Sequence, residues 1–184
     1  MKQISNLKKR CFISVPISEE IRRNIEKIYS LDDLKFVNIN NLHITVLFLD
    51  LIDLETIEKI KDSINSIEVE PFKIIAKGVN AFLDNGIMFV DIEDSGGIEK
   101  IKNEIIDKIK KNTGINFDKE HKFYSHITFA RKKKIIDKII IKKFIEKYKD
   151  TDFGTMILDK IALNESILKK NGPEYKNIFI KNLN

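Results

Sequence analysis

Leu42-His43-Ile44-Thr45-Val46-Leu47-Phe48-Leu49 and, almost half the chain later, Ser125-His126-Ile127-Thr128-Phe129-Ala130-Arg131 decide how this sequence reads. Both runs are rich in the β-branched, aliphatic and aromatic residues that suit a pleated, half-buried surface, and both contain His-Ile-Thr. Side chains of a strand alternate between faces, so residues two apart project together. His43 then shares a face with Thr45, and His126 with Thr128, while Ile44 and Ile127 point the other way. In the first run Leu42, Ile44, Val46 and Phe48 are expected to bury one sheet face and leave an imidazole and a hydroxyl lining a cleft on the other.

Working outward, apolar residues at helical spacing mark four helices. Ser18 caps one that carries Ile21, Ile25 and Ile28, with Glu19 and Glu20 in the first turn, where the helix dipole favours acids. Asp53 caps a second with Leu54, Ile57, Ile60, Ile64 and Ile67 on one stripe. A third runs from about Gly97 through Ile98, Ile101, Ile105 and Ile109 and stops at Asn112-Thr113-Gly114. A fourth carries Ile136, Ile140, Phe144 and Tyr148. Further strands are expected at Arg10 to Val15, Phe72 to Phe82, Ile87 to Ile92, Phe153 to Leu163 and Tyr175 to Ile180, with Asp84-Asn85-Gly86 as a hairpin turn. No linker rich in Pro, Gly or Ser divides them. Each His-Ile-Thr strand is followed by a helix, so the expected class is α+β. The expected architecture is bilobal, with pseudo-two-fold duplicated antiparallel sheets, helices on the outer faces and a central cleft.

The 184 residues are 42% hydrophobic and 33% charged with 7 Gly and 3 Pro, which excludes a disordered or collagen-like chain. A single cysteine, Cys11, rules out an intrachain disulfide and reads as a small buried hydrophobe in a reducing compartment. The opening MKQISNLKKR lacks the apolar core of roughly 7 to 15 residues that a secretory signal needs, and no later run approaches the roughly 18 of a membrane span. A cytoplasmic protein without membrane contact is expected. Lys and Arg outnumber Asp and Glu by 33 to 28, for a net charge of +5 and a pI near 9.1, which permits an anionic partner without demanding one.

Two imidazoles opposed across a cleft, each with a hydroxyl, suit a phosphodiester. One group must take a proton from the nucleophile while another gives one to the leaving oxygen, and histidine does either near neutral pH. The hydroxyls can donate to the non-bridging oxygens, where charge grows in the transition state. Zinc would need three or four convergent ligands, and the remaining histidine, His121, is not at ligand spacing, so neither metal nor cofactor is expected.

The two runs, the strand Arg10-Cys11-Phe12-Ile13 and the tail Leu163-Asn164-Glu165-Ser166 with Gly172-Pro173-Glu174-Tyr175 resemble the RNA 2′,3′-cyclic phosphodiesterases. These are also called 2′-5′ RNA ligases, within the two-histidine phosphoesterase superfamily. The resemblance spans residues 10–184, one two-lobed domain, and leaves 1–9 as an extension. It implies hydrolysis of a terminal 2′,3′-cyclic phosphate to a 2′-phosphomonoester, with His43 as proton donor, His126 as acceptor, and Thr45 and Thr128 as phosphate ligands. It also implies, for some members, ATP-independent joining of a 5′-hydroxyl end through a 2′-5′ bond. The implied partners are RNA with cyclic-phosphate ends or nucleotide 2′,3′-cyclic phosphates, bound by a monomer. Two positions depart from the family pattern: Ser125 stands where Pro is frequent, and Val46-Leu47-Phe48-Leu49-Asp50 where Leu-Lys-Phe-Leu-Gly is. Competing readings are a phosphodiesterase for a small cyclic or 2′-5′ linked nucleotide, and an RNA-end binding module without turnover.

Arg131 closes the second run in a chain otherwise rich in lysine, and a bidentate phosphate contact would explain that choice. The run Arg131-Lys132-Lys133-Lys134 is either an RNA path or a solvated face. Phe48, Phe123 and Tyr124 are possible stacking partners for a base, although a strand Phe reads first as core. His121, in the polar segment Asp118 to Lys122, reads as an exposed loop residue.

Overall fold

The helix signals translate directly into structure. In the computed structural model, which describes residues 7–117, 123–133, 138–170 and 172–184, Ser18 accepts the Ile21 N–H and opens α1 (Glu19–Glu26), burying Ile21 and Ile25. Asp53 accepts the Thr56 N–H and opens α2 (Leu54–Asn65), burying Ile57, Ile60 and Ile64. The third helix, α3 (Gly97–Thr113), begins under the Asp94 carboxylate, which accepts the Gly96 and Ile98 N–H groups. It ends where Gly114, at φ 75°, takes the left-handed conformation that closes a helix. In α4 (Lys138–Tyr148) the buried residues are Ile141 and Phe144, while Ile140 of the expected stripe is exposed. Ile136 lies outside the described residues.

The strands are β1 (Lys8–Pro16), β2 (Leu34–Phe36), β3 (His43–Asp53), β4 (Phe72–Phe82), β5 (Ile87–Glu93), β6 (His126–Lys132), β7 (Asp152–Leu158), β8 (Lys160–Lys169) and β9 (Gly172–Asn182). They form one curled antiparallel sheet in the order β7-β4-β5-β6-β3-β1-β8-β9, with β2 paired to β6. The expected single strand from Phe153 to Leu163 is therefore two. It breaks at Asp159 because β7 pairs with β4 near one edge while β8 pairs with β1 near the other. The three-residue β2 is too short to show periodicity.

Helices α2 and α3 pack on each other and against β3; α4 covers β4, and α1 lies against β7 and a short 3-10 turn, Ile39–Asn41. The halves of the sheet meet at β3 and β6, where one pair is in register, Ile44 opposite Ile127, both 0% exposed.

Both His-Ile-Thr strands carry the same irregularity. Against β1, Thr45 pairs with Ser14 and Leu47 with Ile13, leaving Val46 as an extra residue. Against β5, Thr128 pairs with Phe89 and Ala130 with Met88, leaving Phe129 extra. A bulge shifts the alternation of faces by one residue. That corrects one expectation: Leu42, Ile44 and Val46 are buried, whereas Phe48 is 71% exposed.

Truncating Ile44 to alanine should cost about 2–5 kcal/mol, the usual range for a fully buried aliphatic side chain. Urea unfolding measures it, and a loss below about 1 kcal/mol would show that the β3–β6 contact does not hold the halves together.

Candidate active site

With Ile44 opposite Ile127 and the strands antiparallel, the residues flanking each isoleucine share the other face of the sheet. His43 falls beside Thr128 and His126 beside Thr45, so the imidazoles occupy one diagonal of a square. Diagonal neighbours on such a pair stand about 7–8 Å apart, room for one phosphate. His43, Thr45, His126, Thr128 and Arg131 all line a single cleft of about 1380 Å³.

Each ring is held in the same way. His43 Nδ1 donates to the Asn41 carbonyl and His126 Nδ1 to the Tyr124 carbonyl, both at 2.7 Å and both two residues upstream. That fixes the Nδ1–H tautomer of the neutral rings and leaves Nε2 as the nitrogen able to accept a proton. Thr45 Oγ1 lies 3.0 Å from His43 Nε2 and donates to it while the ring is neutral. Aromatic rings complete both seats. His43 packs against Phe12 of β1, with centroids 5.0 Å apart, and edge-on against Tyr175 of β9 at 5.3 Å. His126 packs against Phe89 of β5 at 4.9 Å and edge-on against Phe82 of β4 at 5.4 Å.

Burial among these rings lowers the pKa of both histidines from its ordinary value. For His43 the Asn41 carbonyl opposes the shift, while the positive charges of His126 and Arg22 add to it. For His126 the Tyr124 carbonyl and the Asp91 carboxylate oppose it, and Arg131 adds to it. Asp91 is the register partner of His126 and also accepts the Tyr124 hydroxyl. Ser125 donates to the Asp94 carboxylate at 2.9 Å, tying the residue before His126 to the start of α3.

Around the pair the cleft walls are more apolar than polar, and their charges lean cationic. Arg10 pairs with Asp50 at 3.0 Å and Lys169 with Glu174 at 3.8 Å on its walls. Lys35 and Arg131 line it with no ion pair among the described residues. No group of three or more His, Cys, Asp or Glu among the described residues is placed to hold a metal ion.

The sequence and the fold are shared with known proteins. The model for the AKAP7 2′5′ RNA ligase-like domain matches residues 4–178. The RNA 2′,3′-cyclic phosphodiesterase of Methanocaldococcus jannaschii is 34% identical over 91% of this chain and 96% of its own, and that of Archaeoglobus fulgidus is 29% identical over 92% and 97%. The chain belongs to the RNA 2′,3′-cyclic phosphodiesterase and 2′-5′ RNA ligase-like family. Solved structures share the fold: E. coli LigT complexed with 3′-AMP has a TM-score of 0.75 at 16% identity over 96% of this chain and 98% of that one. TT0787 of Thermus thermophilus has a TM-score of 0.75 at 23% identity, over 95% and 97%.

Within this member of the family, the sequence candidates divide. Arg131 reaches the cleft with the two histidines. Lys132 and Lys133 do not line it: the Lys132 stem packs on Gly86, and Lys133 Nζ donates to the Asp32 carbonyl. Lys134 and His121 lie outside the described residues. Of the three aromatics considered for stacking, Phe123 lines a separate cavity of about 500 Å³ and sits under Lys102, and Tyr124 is bonded to Asp91. Phe48 lines the cleft. Cys11 is buried, and burial pushes its thiol up to about 11. Among the described residues no helix is long and apolar enough to cross a membrane.

Sequence reasoning missed the two aromatic seats and Asp91. Phe12, Phe89 and Tyr175 look like ordinary strand residues, and only the pairing of β1 with β3 and β5 with β6 brings two of them under the histidines. The one available signal was the parallel placement of a Phe in each neighbouring strand.

Both imidazoles should titrate below about 6.5 in NMR-monitored pH titration of the free protein. Asp91→Asn should lower the His126 pKa further while leaving His43 nearly unmoved. Equal movement of both rings, or of neither, would contradict this electrostatic assignment.

Proposed function

We propose that this protein hydrolyses the 2′,3′-cyclic phosphate at RNA ends to a 2′-phosphomonoester, by acid-base catalysis between His43 and His126. The observation that carries the reading is the matched pair of Nδ1-tethered imidazoles, diagonal on one cleft with Arg131 beside them. The curated relatives are RNA 2′,3′-cyclic phosphodiesterases, and that kinship supports the same substrate class for this chain.

In the proposed reaction, His126 Nε2 takes a proton from water as its oxygen attacks phosphorus. The P–O3′ bond breaks, and the departing O3′ takes a proton from His43 Nε2–H. Thr45, Thr128 and Arg131 hold the non-bridging oxygens, where charge accumulates. The first requires the Thr45 hydroxyl to turn from His43 to the phosphate, which ring protonation favours because Nε2 then no longer accepts. One water is consumed, and the proton moved from His43 to His126 is restored by solvent exchange. No step calls on a cofactor. A 5′-hydroxyl in place of water would close a 2′-5′ bond by the same displacement, without ATP.

We further read the domain as duplicated. A strand, a helix, a His-Ile-Thr strand and a second helix recur as β1-α1-β3-α2 and β5-α3-β6-α4, with the same bulge and the same Phe beneath each histidine. Residues 10–184 form the catalytic unit in this reading, working as a cytoplasmic monomer, and the ladder begins slightly earlier, at Lys8.

The test is an oligonucleotide ending in a 2′,3′-cyclic phosphate, assayed with excess EDTA. Release of a 2′-phosphate end is expected; turnover of mononucleotides alone would favour a small-nucleotide enzyme, and binding without product an RNA-end binding module. His43→Ala and His126→Ala should each lower the rate at least about a hundredfold with unchanged circular dichroism, since acid-base groups contribute roughly 10² to 10⁴. The pH dependence of kcat/KM should be bell-shaped with its maximum on the acid side of neutrality, since both rings titrate low. A flat profile from about pH 5 to 9 would falsify the pairing.

A further inference from the structure

We propose that Lys35, standing beside Arg131, holds the first internucleotide phosphate of an RNA end, the one on the 5′ side of the nucleotide that carries the cyclic phosphate; this rests on the reaction proposed above. Among the described residues the carboxylates lining the cleft are Asp50 and Glu174, and each already faces a cation, Arg10 and Lys169. The lining cations left over are Lys35 and Arg131, and these are cross-strand partners, Lys35 of β2 opposite Arg131 of β6. Opposed residues of an antiparallel pair project from the same face, where like charges repel. No ion pair among the described residues relieves this one, and Asp33, two residues before Lys35, is not on the cleft wall.

Two cations left facing each other make a seat for an anion, since an oxyanion between them turns repulsion into a pair of charge-assisted hydrogen bonds. Local structure holds Lys35 to that place. In the three-residue β2 Leu34 is buried and Phe36 stacks on Tyr29 with centroids 4.3 Å apart, so Lys35 is the exposed residue between two anchored ones. Its distance from the chemistry suits the next phosphate. Arg131 lies five residues beyond His126 and the bulge takes up one of them, which puts the Lys35–Arg131 pair roughly 13 Å along the strand from the ring. The Arg131 charge acts on His126 of β6 and on Tyr175 of β9, so its guanidinium reaches back toward the reacting phosphate. Lys35, one strand outside it, stands a step farther out, where a ribose places the preceding phosphate of the chain. A nucleoside cyclic phosphate offers nothing there; an RNA end does. Because an ammonium reads charge and no base edge, Lys35 selects chain ends without selecting sequence.

Steady-state hydrolysis by wild type, Lys35→Gln and Lys35→Arg separates this from general attraction by a cationic protein. Three substrates are compared: adenosine 2′,3′-cyclic phosphate, the same compound with a 5′-phosphate, and a diadenosine dinucleotide ending in the same cyclic phosphate. Wild type should prefer the second and third to the first. Lys35→Gln should raise KM roughly tenfold on those two, with kcat within about twofold, and leave the first unchanged. Its log kcat/KM on the dinucleotide should also fall less steeply with log salt, by about one unit of slope, and Lys35→Arg should behave as wild type. An equal effect of Lys35→Gln on all three substrates, or none on any, overturns the inference while leaving the reaction standing. Loss confined to the 5′-phosphorylated mononucleotide overturns it in favour of a free nucleotide's phosphate, and loss confined to the dinucleotide in favour of its upstream nucleoside. Should wild type turn over none of the three, the reaction itself is wrong. The subsite is then decided by the affinity of wild type and Lys35→Gln for adenosine 2′-monophosphate and adenosine 2′,5′-bisphosphate: selective loss for the bisphosphate supports it, and parallel affinities overturn it.

Discussion

The burial of two isoleucine side chains against each other's strand holds the two histidines of the cleft in place. Ile44 and Ile127 are fully enclosed and face one another across the junction of β3 and β6. Because strand periodicity is two, a slip of one strand by one residue would send its isoleucine to the cleft and its histidine into the helix-covered core. Burying a polar ring without its partners is costly, and exposing an isoleucine forfeits roughly 1.5–3 kcal/mol. The register that packs the core best is the register that opposes the imidazoles, so the apolar interior and the reactive face are specified by one event.

Backbone carbonyls and aromatic walls then do the fine positioning. A carbonyl two residues upstream is always at hand, and its bond to Nδ1 orients each ring without a second acidic residue. The two mounts still differ. The His43 carbonyl partner lies in a 3-10 turn, whereas the segment before His126 is fastened by Tyr124 to Asp91 and by Ser125 to Asp94. With Asp91 near one ring and Arg22 near the other, the two halves give unequal electrostatic surroundings to chemically identical groups. Such inequality is what the proposed acid and base, His43 and His126, would require.

The pairing of each histidine with its threonine was legible in the sequence because alternation in a strand is strict over three residues. The helical stripes of α1, α2 and α3 were equally plain, since isoleucines recur at three and four positions. Phe48 was not legible: its facing depends on an extra residue opposite Ile13 and Ser14, and a bulge is a relation between two strands rather than a pattern in one. The break at Asp159 was hidden for the same reason, because an apolar run does not announce that its two ends join different partners. Asp91, Phe12 and Phe89 acquire their roles only through register. Ile140 and Ile141 are both apolar, so the hydrophobic pattern alone did not choose which one faces inward.

The order of strands also bears on how the chain reaches this state. The half-sheet around His126 is built from β4, β5, β6 and β7, an almost unbroken stretch of chain. The half-sheet around His43 joins β1, close to the beginning, to β8 and β9, close to the end. Closing so long a loop is entropically expensive and is deferred until the contacts that reward it exist. During synthesis, the first strand to emerge therefore waits for the last, and the wall that carries Tyr175 is among the final parts to be assembled.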